Sequence, residues 1–193
     1  MLEFLLDIDV QIFLILNGLH APWLDKLMYL ITNKYVWIPF YVFIIVLISW
    51  RFGWKGVTGL ILIIVAISLA DYITSGIMKP LFERFRPCHN PDISNLVHLV
   101  THCSGKYGFA SGHAANSFAL ASSLSLIFRK QLKYLGWIYL WALIVAYSRI
   151  YVGVHYPLDV ITGALIGIIF GLLMNFIYTK LPANLKLSPG TTL

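Results

Sequence analysis

Residues 160–179 read VITGALIGIIFGLLMNFIYT, twenty positions without a charge. The hydrocarbon core of a bilayer takes roughly 20 residues of helix, so this stretch predicts a membrane-spanning helix. The same reading extends outward. Run 109–128 is equally free of charge, 134–147 is short unless it borrows flanking residues, and 56–78 is interrupted only by Asp71. Run 35–50 is bracketed by Lys34 and Arg51, with Tyr35, Trp37 and Trp50 placed as interfacial aromatics. Five spans within 35–179 follow. The fold class is all-α: a polytopic membrane helical bundle in one domain over 1–181, with a polar tail over 182–193.

Composition agrees. The 193 residues are 59% hydrophobic and 11% charged, with a mean hydropathy of +0.80, where a soluble domain carries about 25% charged residues. That excludes a disordered chain and speaks against a soluble globule. The net charge of +6 does not indicate nucleic acid, because the bases are scattered and no basic stretch exceeds Arg129-Lys130. Two cysteines exclude a disulfide-rich scaffold. Glu3, Asp7 and Asp9, with no early base, are unlike a secretory signal peptide.

The N-terminus differs from the spans. Glu3, Asp7 and Gln11 recur every four positions and draw a polar stripe on an apolar helix; Pro22 can open a second helix with Leu24, Leu27, Met28 and Ile31 on one face. Both predict helices lying in the interface over residues 1–33. The alternative is a sixth span over 10–24. Loop charge sets the orientation. The loops after spans one, three and five hold Arg51, Lys55, Arg129, Lys130, Lys133, Lys180 and Lys186, seven bases and no acid; the rest of the chain has seven bases against eight acids. Those three loops are therefore expected in the cytoplasm, and the opposite ends of the spans outside.

Three clusters fall at the outer ends. Lys79 to Arg86-Pro87 closes span two, Ala110-Ser111-Gly112-His113 opens span three, and Ser148-Arg149, His155 and Asp159 run from span four into span five. Ionisable side chains at one membrane depth mark function. The residue types suit a phosphate. Lys79, Arg86 and Arg149 can surround its charge, while Ser111 and Gly112 open a helix whose free N–H groups face an anion. His155 and Asp159 are four apart, so the carboxylate can hold one ring nitrogen and leave the other nucleophilic. His113 remains as a general acid.

These motifs resemble those of the type 2 phosphatidic acid phosphatase (PAP2) superfamily: K-x6-RP at Lys79 to Arg86-Pro87, PSGH at 110–113, and SR-x5-H-x3-D at Ser148-Arg149, His155 and Asp159. The one departure is Ala110 in place of Pro, for which a small effect on rigidity is expected. The resemblance implies metal-independent dephosphorylation of a lipid phosphate through a phosphohistidine on His155, with no cofactor. The catalytic residues would be His155, His113 and Asp159; the phosphate-binding residues would be Lys79, Arg86, Ser111, Gly112 and Arg149. It also implies a bacterial inner membrane location, with the site facing the periplasm or cell exterior. Substrates would be lipid phosphates such as undecaprenyl pyrophosphate, slightly preferred, or lipid A. The sequence assigns no nucleic-acid partner and no oligomeric state. A phosphotransferase using the same phosphohistidine, and a lipid transporter or binding protein, are the rival classes. The transporter reading gives no reason for His155 and Asp159 beside His113. Soluble vanadium haloperoxidases share the motifs, but the hydropathy argues against that reading.

Four further features stand apart from the motifs. Asp71, Ser75 and Lys79 fall on one face, where Asp71 either orients Lys79 indirectly or is a buried structural carboxylate bonded to a neighbouring helix. Gly163, Gly167 and Gly171 form a stripe expected to pack within the chain. Cys88 and Cys103 lie in the outer loop, as a disulfide or as two free thiols. His89, His98 and His102 match no strong metal pattern, and no metal site is expected there.

Overall fold

The computed structural model describes residues 2–132 and 135–187; Lys133 and the end of the polar tail fall outside that range. Seven α-helices carry the chain, and no β-strand occurs among the described residues. They are α1 (Leu2–Gly18), α2 (Pro22–Thr32), α3 (Ile38–Asp71), α4 (Lys79–Phe82), α5 (Gly112–Ile127), α6 (Trp137–Tyr151) and α7 (Pro157–Lys180). Between α3 and α4 the helix widens into a π-helical stretch, Tyr72–Met78.

Among the described residues each apolar run overlaps a helix, and the sequence chemistry sets several of the ends. Pro22 and Pro157 stand in the first turns of α2 and α7, where a missing N–H costs no hydrogen bond. Gly53 breaks α3 at φ 55°, ψ −142°, a conformation that side chains with a Cβ rarely adopt. The chain reverses there into two arms, so Tyr41 and Ile44 line one groove with Ile64 and Ile67. Trp50 and Trp54 flank the turn, 83% and 70% exposed. The stretch Lys34–Phe82 and helix α7 are long and apolar enough to cross a membrane. Helices α5 and α6 have 16 and 15 residues, about 24 and 22 Å at 1.5 Å per residue. Helices α1 and α2 bend by 116° at their junction, so residues 10–24 form no continuous sixth span.

Helix α5 is the centre of the bundle. It is built largely from Ala and Ser and is buried along most of its length. Against it lies the glycine stripe of α7. A Cβ at Gly163 would stand 2.3 Å from the Ser111 carbonyl oxygen, at Gly167 2.3 Å from that of Ala115, and at Gly171 2.3 Å from Ser122 Cβ. Only bare backbone permits that approach, so the stripe is an internal packing face. The outward faces carry Leu165, Ile169, Leu172 and Phe176 on α7 and Val42, Phe43 and Val46 on α3. Such a continuous apolar exterior suits lipid and not water.

The N-terminal helices close one side. Glu3, Asp7 and Gln11 are exposed as the stripe requires. A second stripe that the periodicity did not single out, Asp9, Phe13 and Asn17, is buried. Asn17 Nδ2 donates to the carbonyls of Tyr151 (2.8 Å) and His98 (3.0 Å), while its Oδ1 accepts from the His98 N–H (2.8 Å). Cys88 and Cys103 are joined in a disulfide with a Cα separation of 6.4 Å, which settles the open alternative.

Candidate active site

The loop that leads into α7 delivers His155, and the first turn of α7 delivers Asp159. Both side chains are buried. Asp159 stands at the third position of the helix and its Oδ2 accepts the Tyr156 N–H at 3.0 Å, satisfying a donor that the helix start would otherwise leave unpaired. The same oxygen lies 3.3 Å from His155 Nδ1. Arg86 approaches the opposite side of the ring, Nη1 to Nε2 at 3.5 Å. An arginine has no acceptor, so Nε2 faces it as the unprotonated nitrogen and Nδ1 carries the hydrogen toward Asp159. Burial holds the His155 imidazole well below the usual histidine range, and the charges of Arg86, Arg149 and Lys79 act in the same direction.

Arg86 is itself fixed from the backbone. Its Nε donates to the Tyr107 carbonyl at 3.2 Å and its Nη1 reaches the Val154 carbonyl at 3.5 Å. Its main chain pairs with the returning segment of the loop, Arg86 N–H to Lys106 O at 3.1 Å, and an isolated bridge joins Phe85 to Tyr107. The disulfide lies just beyond. Gly108 leaves room here: a Cβ would stand 3.1 Å from Asp159 Oδ2 and 3.2 Å from Arg86 Cγ and would press on both.

Helix α5 points its N-terminus at this pair. The Ser111 hydroxyl caps the helix by accepting from the Ala114 N–H at 3.5 Å, and its own N–H donates to the Asp159 carbonyl at 2.9 Å. Ser111 thus ties α5 to α7, and the first N–H groups of α5, on Gly112 and His113, are left without a helical partner. The small size of Gly112 serves a neighbouring helix: a Cβ would stand 3.0 Å from Ser75 Oγ and 3.3 Å from Asp71 Oδ1. Lys79 Nζ donates to Ser75 Oγ at 3.0 Å, Ser75 Oγ lies 3.5 Å from Asp71 Oδ1, and Asn116 Nδ2 donates to the same oxygen at 3.0 Å. Asp71 thus reaches Lys79 through Ser75 and bonds α5 through Asn116, but it is exposed and so is not the buried carboxylate of the second expectation. The charges of Arg149, Lys79 and Arg86 act on both His113 and His155, so the three cations and the two histidines lie within electrostatic reach of one another.

Three participants were not singled out from the sequence. Arg84 donates from Nη1 to Asp159 Oδ1 at 2.8 Å and from Nη2 to Asp9 Oδ2 at 2.6 Å. Its guanidinium lies over the Tyr156 ring, 4.2 Å from the centroid. Thr32, at the end of α2, accepts from Arg149 Nη1, while Arg149 Nε is buried with no hydrogen-bond partner among the described residues. The signal for Arg84 was its place inside the Lys79–Arg86 run, a third base in one loop. Asp9 and Thr32 had no local signal. His98 has a structural role: its Nε2 is 3.0 Å from Asp25 Oδ1, and its ring stacks on His20 at 3.7 Å between centroids.

The chain as a whole is similar to known proteins. Residues 59–182 match the family model described as PAP2 superfamily. A lipid A 4'-phosphatase of Bacteroides thetaiotaomicron is 42% identical over 190 residues, covering 96% of this chain and 84% of that protein. An undecaprenyl-diphosphatase of Sulfolobus acidocaldarius is 35% identical over 162 residues, 82% of this chain and 73% of that protein. Among solved structures, a transmembrane PAP2-type phosphatidylglycerolphosphate phosphatase from Bacillus subtilis superposes with a TM-score of 0.71 at 23% identity, covering 93% of this chain and 88% of that one. That last likeness concerns the fold.

Proposed function

The chain belongs to the PAP2 superfamily and is a lipid phosphatase, and from that premise we propose that it removes a phosphate from a lipid A-type glycolipid at the extracytoplasmic face, through a phosphohistidine on His155. The observation that carries the mechanism is the buried His155 ring, with Nδ1 toward Asp159 Oδ2 and Nε2 toward Arg86. Nε2 attacks phosphorus in line, and the phosphorus–oxygen bond to the lipid breaks. His113, protonated once the anionic phosphate offsets the charges of Arg149, Lys79 and Arg86, gives its proton to the departing oxygen; water then attacks phosphorus, His113 takes a proton from it, and the phosphorus–nitrogen bond to His155 breaks. Inorganic phosphate leaves and His155 is restored. Arg86, Arg149, Lys79 and the N–H groups of Gly112 and His113 meet the charge that develops on the phosphoryl oxygens. These groups need no cation beside them.

The two arms of α3 with α5, α6 and α7 are taken as five crossings, and α1 and α2 as interfacial helices. The preference for lipid A over undecaprenyl pyrophosphate reverses the order implied by the family resemblance, and rests on the relative at 42% identity against the one at 35%. The disulfide in the Arg86 loop suits an oxidising compartment. Phosphate release by the purified protein is measured with EDTA present, from lipid A, undecaprenyl pyrophosphate and phosphatidic acid, alongside analysis of the lipid product. Preferential release from lipid A with water as the acceptor is expected. Activity that requires an added cation overturns the metal-free mechanism, and transfer to an acceptor other than water makes the protein a phosphotransferase.

A further inference from the structure

The geometry points to Arg84 and Asp9 as positioning residues for the His155–Asp159 pair, with helix α1 supplying the last member of the chain Asp9, Arg84, Asp159, His155. This rests on the reading of His155 as nucleophile. The two oxygens of Asp159 are divided: Oδ2 serves His155 Nδ1 and the Tyr156 N–H, and Oδ1 accepts from Arg84 at 2.8 Å. A carboxylate held at both oxygens cannot turn, so the ring it steadies cannot turn either. Arg84 is held in the same way. Its second amino group meets Asp9 Oδ2 at 2.6 Å, the Tyr156 ring lies beneath its plane, and Asp9 Oδ1 accepts the Leu158 N–H at 2.9 Å. Asp9 and Asp159 are 2% and 0% exposed. Asp9 lies outside the stretch 59–182 that matches the family model.

The arrangement sets charge as well as orientation. Arg84 shares one positive charge between two buried carboxylates, so what Asp159 offers His155 depends on whether Asp9 is charged. His155 is also faced by Arg86, Arg149, Lys79 and His113, and Asp159 by Arg86 as well as Arg84. Those groups are common to every variant below. Removing the Arg84 charge leaves the Asp159 anion fully on His155 and favours the imidazolium. Removing the Asp9 charge leaves Arg84 uncompensated and disfavours it. The two substitutions therefore have opposite signs, which a purely structural clamp does not produce.

The test uses the full chain with a lipid phosphate carrying a good leaving group, and reads the pH dependence of kcat/KM. Arg84→Gln should move the acid limb to higher pH and Asp9→Asn to lower pH, each on the order of one unit. The double variant should return it close to the original value. Losses in kcat of about 10- to 100-fold are expected for the single variants, with KM little changed because neither residue touches the phosphate. Asn at position 9 keeps an oxygen for the Leu158 N–H. If Arg84→Gln does not fold, as judged by thermal melting, Arg84→Lys replaces it: the charge is kept and the fork lost, so kcat should fall without a shift of the limb. Shifts in the same direction, or none in Asp9→Asn, overturn the inference. Rapid-quench labelling separates this from the underlying reading. If label forms on His155 and the limbs stay fixed, Arg84 and Asp9 are structural only. If His155→Ala still turns over, the nucleophile assignment fails and the positioning role fails with it.

Discussion

At Arg86 the geometry asks for a guanidinium. Its Nε and Nη1 donate to two carbonyls from different loop segments while the same head stands beside His155 Nε2, and an ammonium cannot hold that plane. Arg86→Lys should lower kcat/KM about a hundredfold, near the loss from deleting one donor at a developing anion; steady-state kinetics on a lipid phosphate checks it, and an unchanged rate would displace the phosphate from this position. The pH behaviour of the unaltered enzyme follows from His155. Its proton affinity is lowered by burial first and by Arg86, Arg149 and Lys79 next, so the ring is already neutral at pH 7. Acidifying through the ordinary histidine value of about 6.5 should therefore leave kcat/KM nearly intact, and the decline should begin below it. His113→Ala is expected to accumulate phosphoenzyme on a substrate with a good leaving group, and His155→Ala to form none, as acid-quench labelling would read. All eight motif residues were legible because their spacing is local: Asp159 follows His155 by one turn, and Arg86 follows Lys79 within one short loop. Asp9 was not, because its partner Arg84 lies 75 residues away, and one acid among three in α1 carries no mark of the contact it makes.

At the scale of elements, the bundle depends on how closely α7 can approach α5. The glycine stripe sets that distance, and Gly167 sits between the Ala115 carbonyl at 2.3 Å and the Ala119 nitrogen at 2.7 Å from where a Cβ would go. Both neighbours are backbone, so neither can step aside. Gly167→Ala should destabilise by about 1–3 kcal/mol, the usual cost of overpacking, read as a lower melting temperature in detergent. Gly18→Ala is the control, since no atom lies within 4 Å of its added Cβ, and a change within about 0.5 kcal/mol is expected. If the two variants melt alike, the stripe is not the contact that sets the spacing. The helices were legible from apolar runs because a lipid-facing helix is apolar all round. The turn at Gly53 was legible as well, since Arg51 and Lys55 break the apolar pattern between runs 35–50 and 56–78. The π-helical stretch Tyr72–Met78 was not: it lies next to the Asp71–Asn116 bond between α3 and α5, a long-range contact that no local pattern encodes.

Across the whole molecule the two ends of the bundle differ in charge. Phe52 and Phe128 pack at 5.8 Å between ring centroids, so the Gly53 turn and the end of α5 lie together at one end, with Arg51, Lys55, Arg129 and Lys130. The motif residues and the Cys88–Cys103 disulfide lie at the other end, where acids and bases balance. By the positive-inside rule the basic end is expected in the cytoplasm, which is the basis for proposing the site outside. Both cysteines of the chain are in the disulfide, so the unaltered protein has no thiol to react and a single added cysteine reports its own side. Asn95 and Lys130 are both exposed and stand at opposite ends. In intact cells, Asn95→Cys should react with a membrane-impermeant maleimide, while Lys130→Cys should react only after the membrane is opened. The reverse pattern would place the site in the cytoplasm. It would also leave the disulfide facing a reducing compartment, where such bonds rarely persist, so the two observations stand or fall together. Reducing the disulfide supplies the second reading. It closes a loop across a sequence separation of 15 residues, worth about 3 kcal/mol for a loop of that length, and it backs the loop from which Arg86 reaches His155. An impermeant reductant added to intact cells should therefore lower the melting temperature and the turnover together if the loop is outside, and should change neither if it is inside.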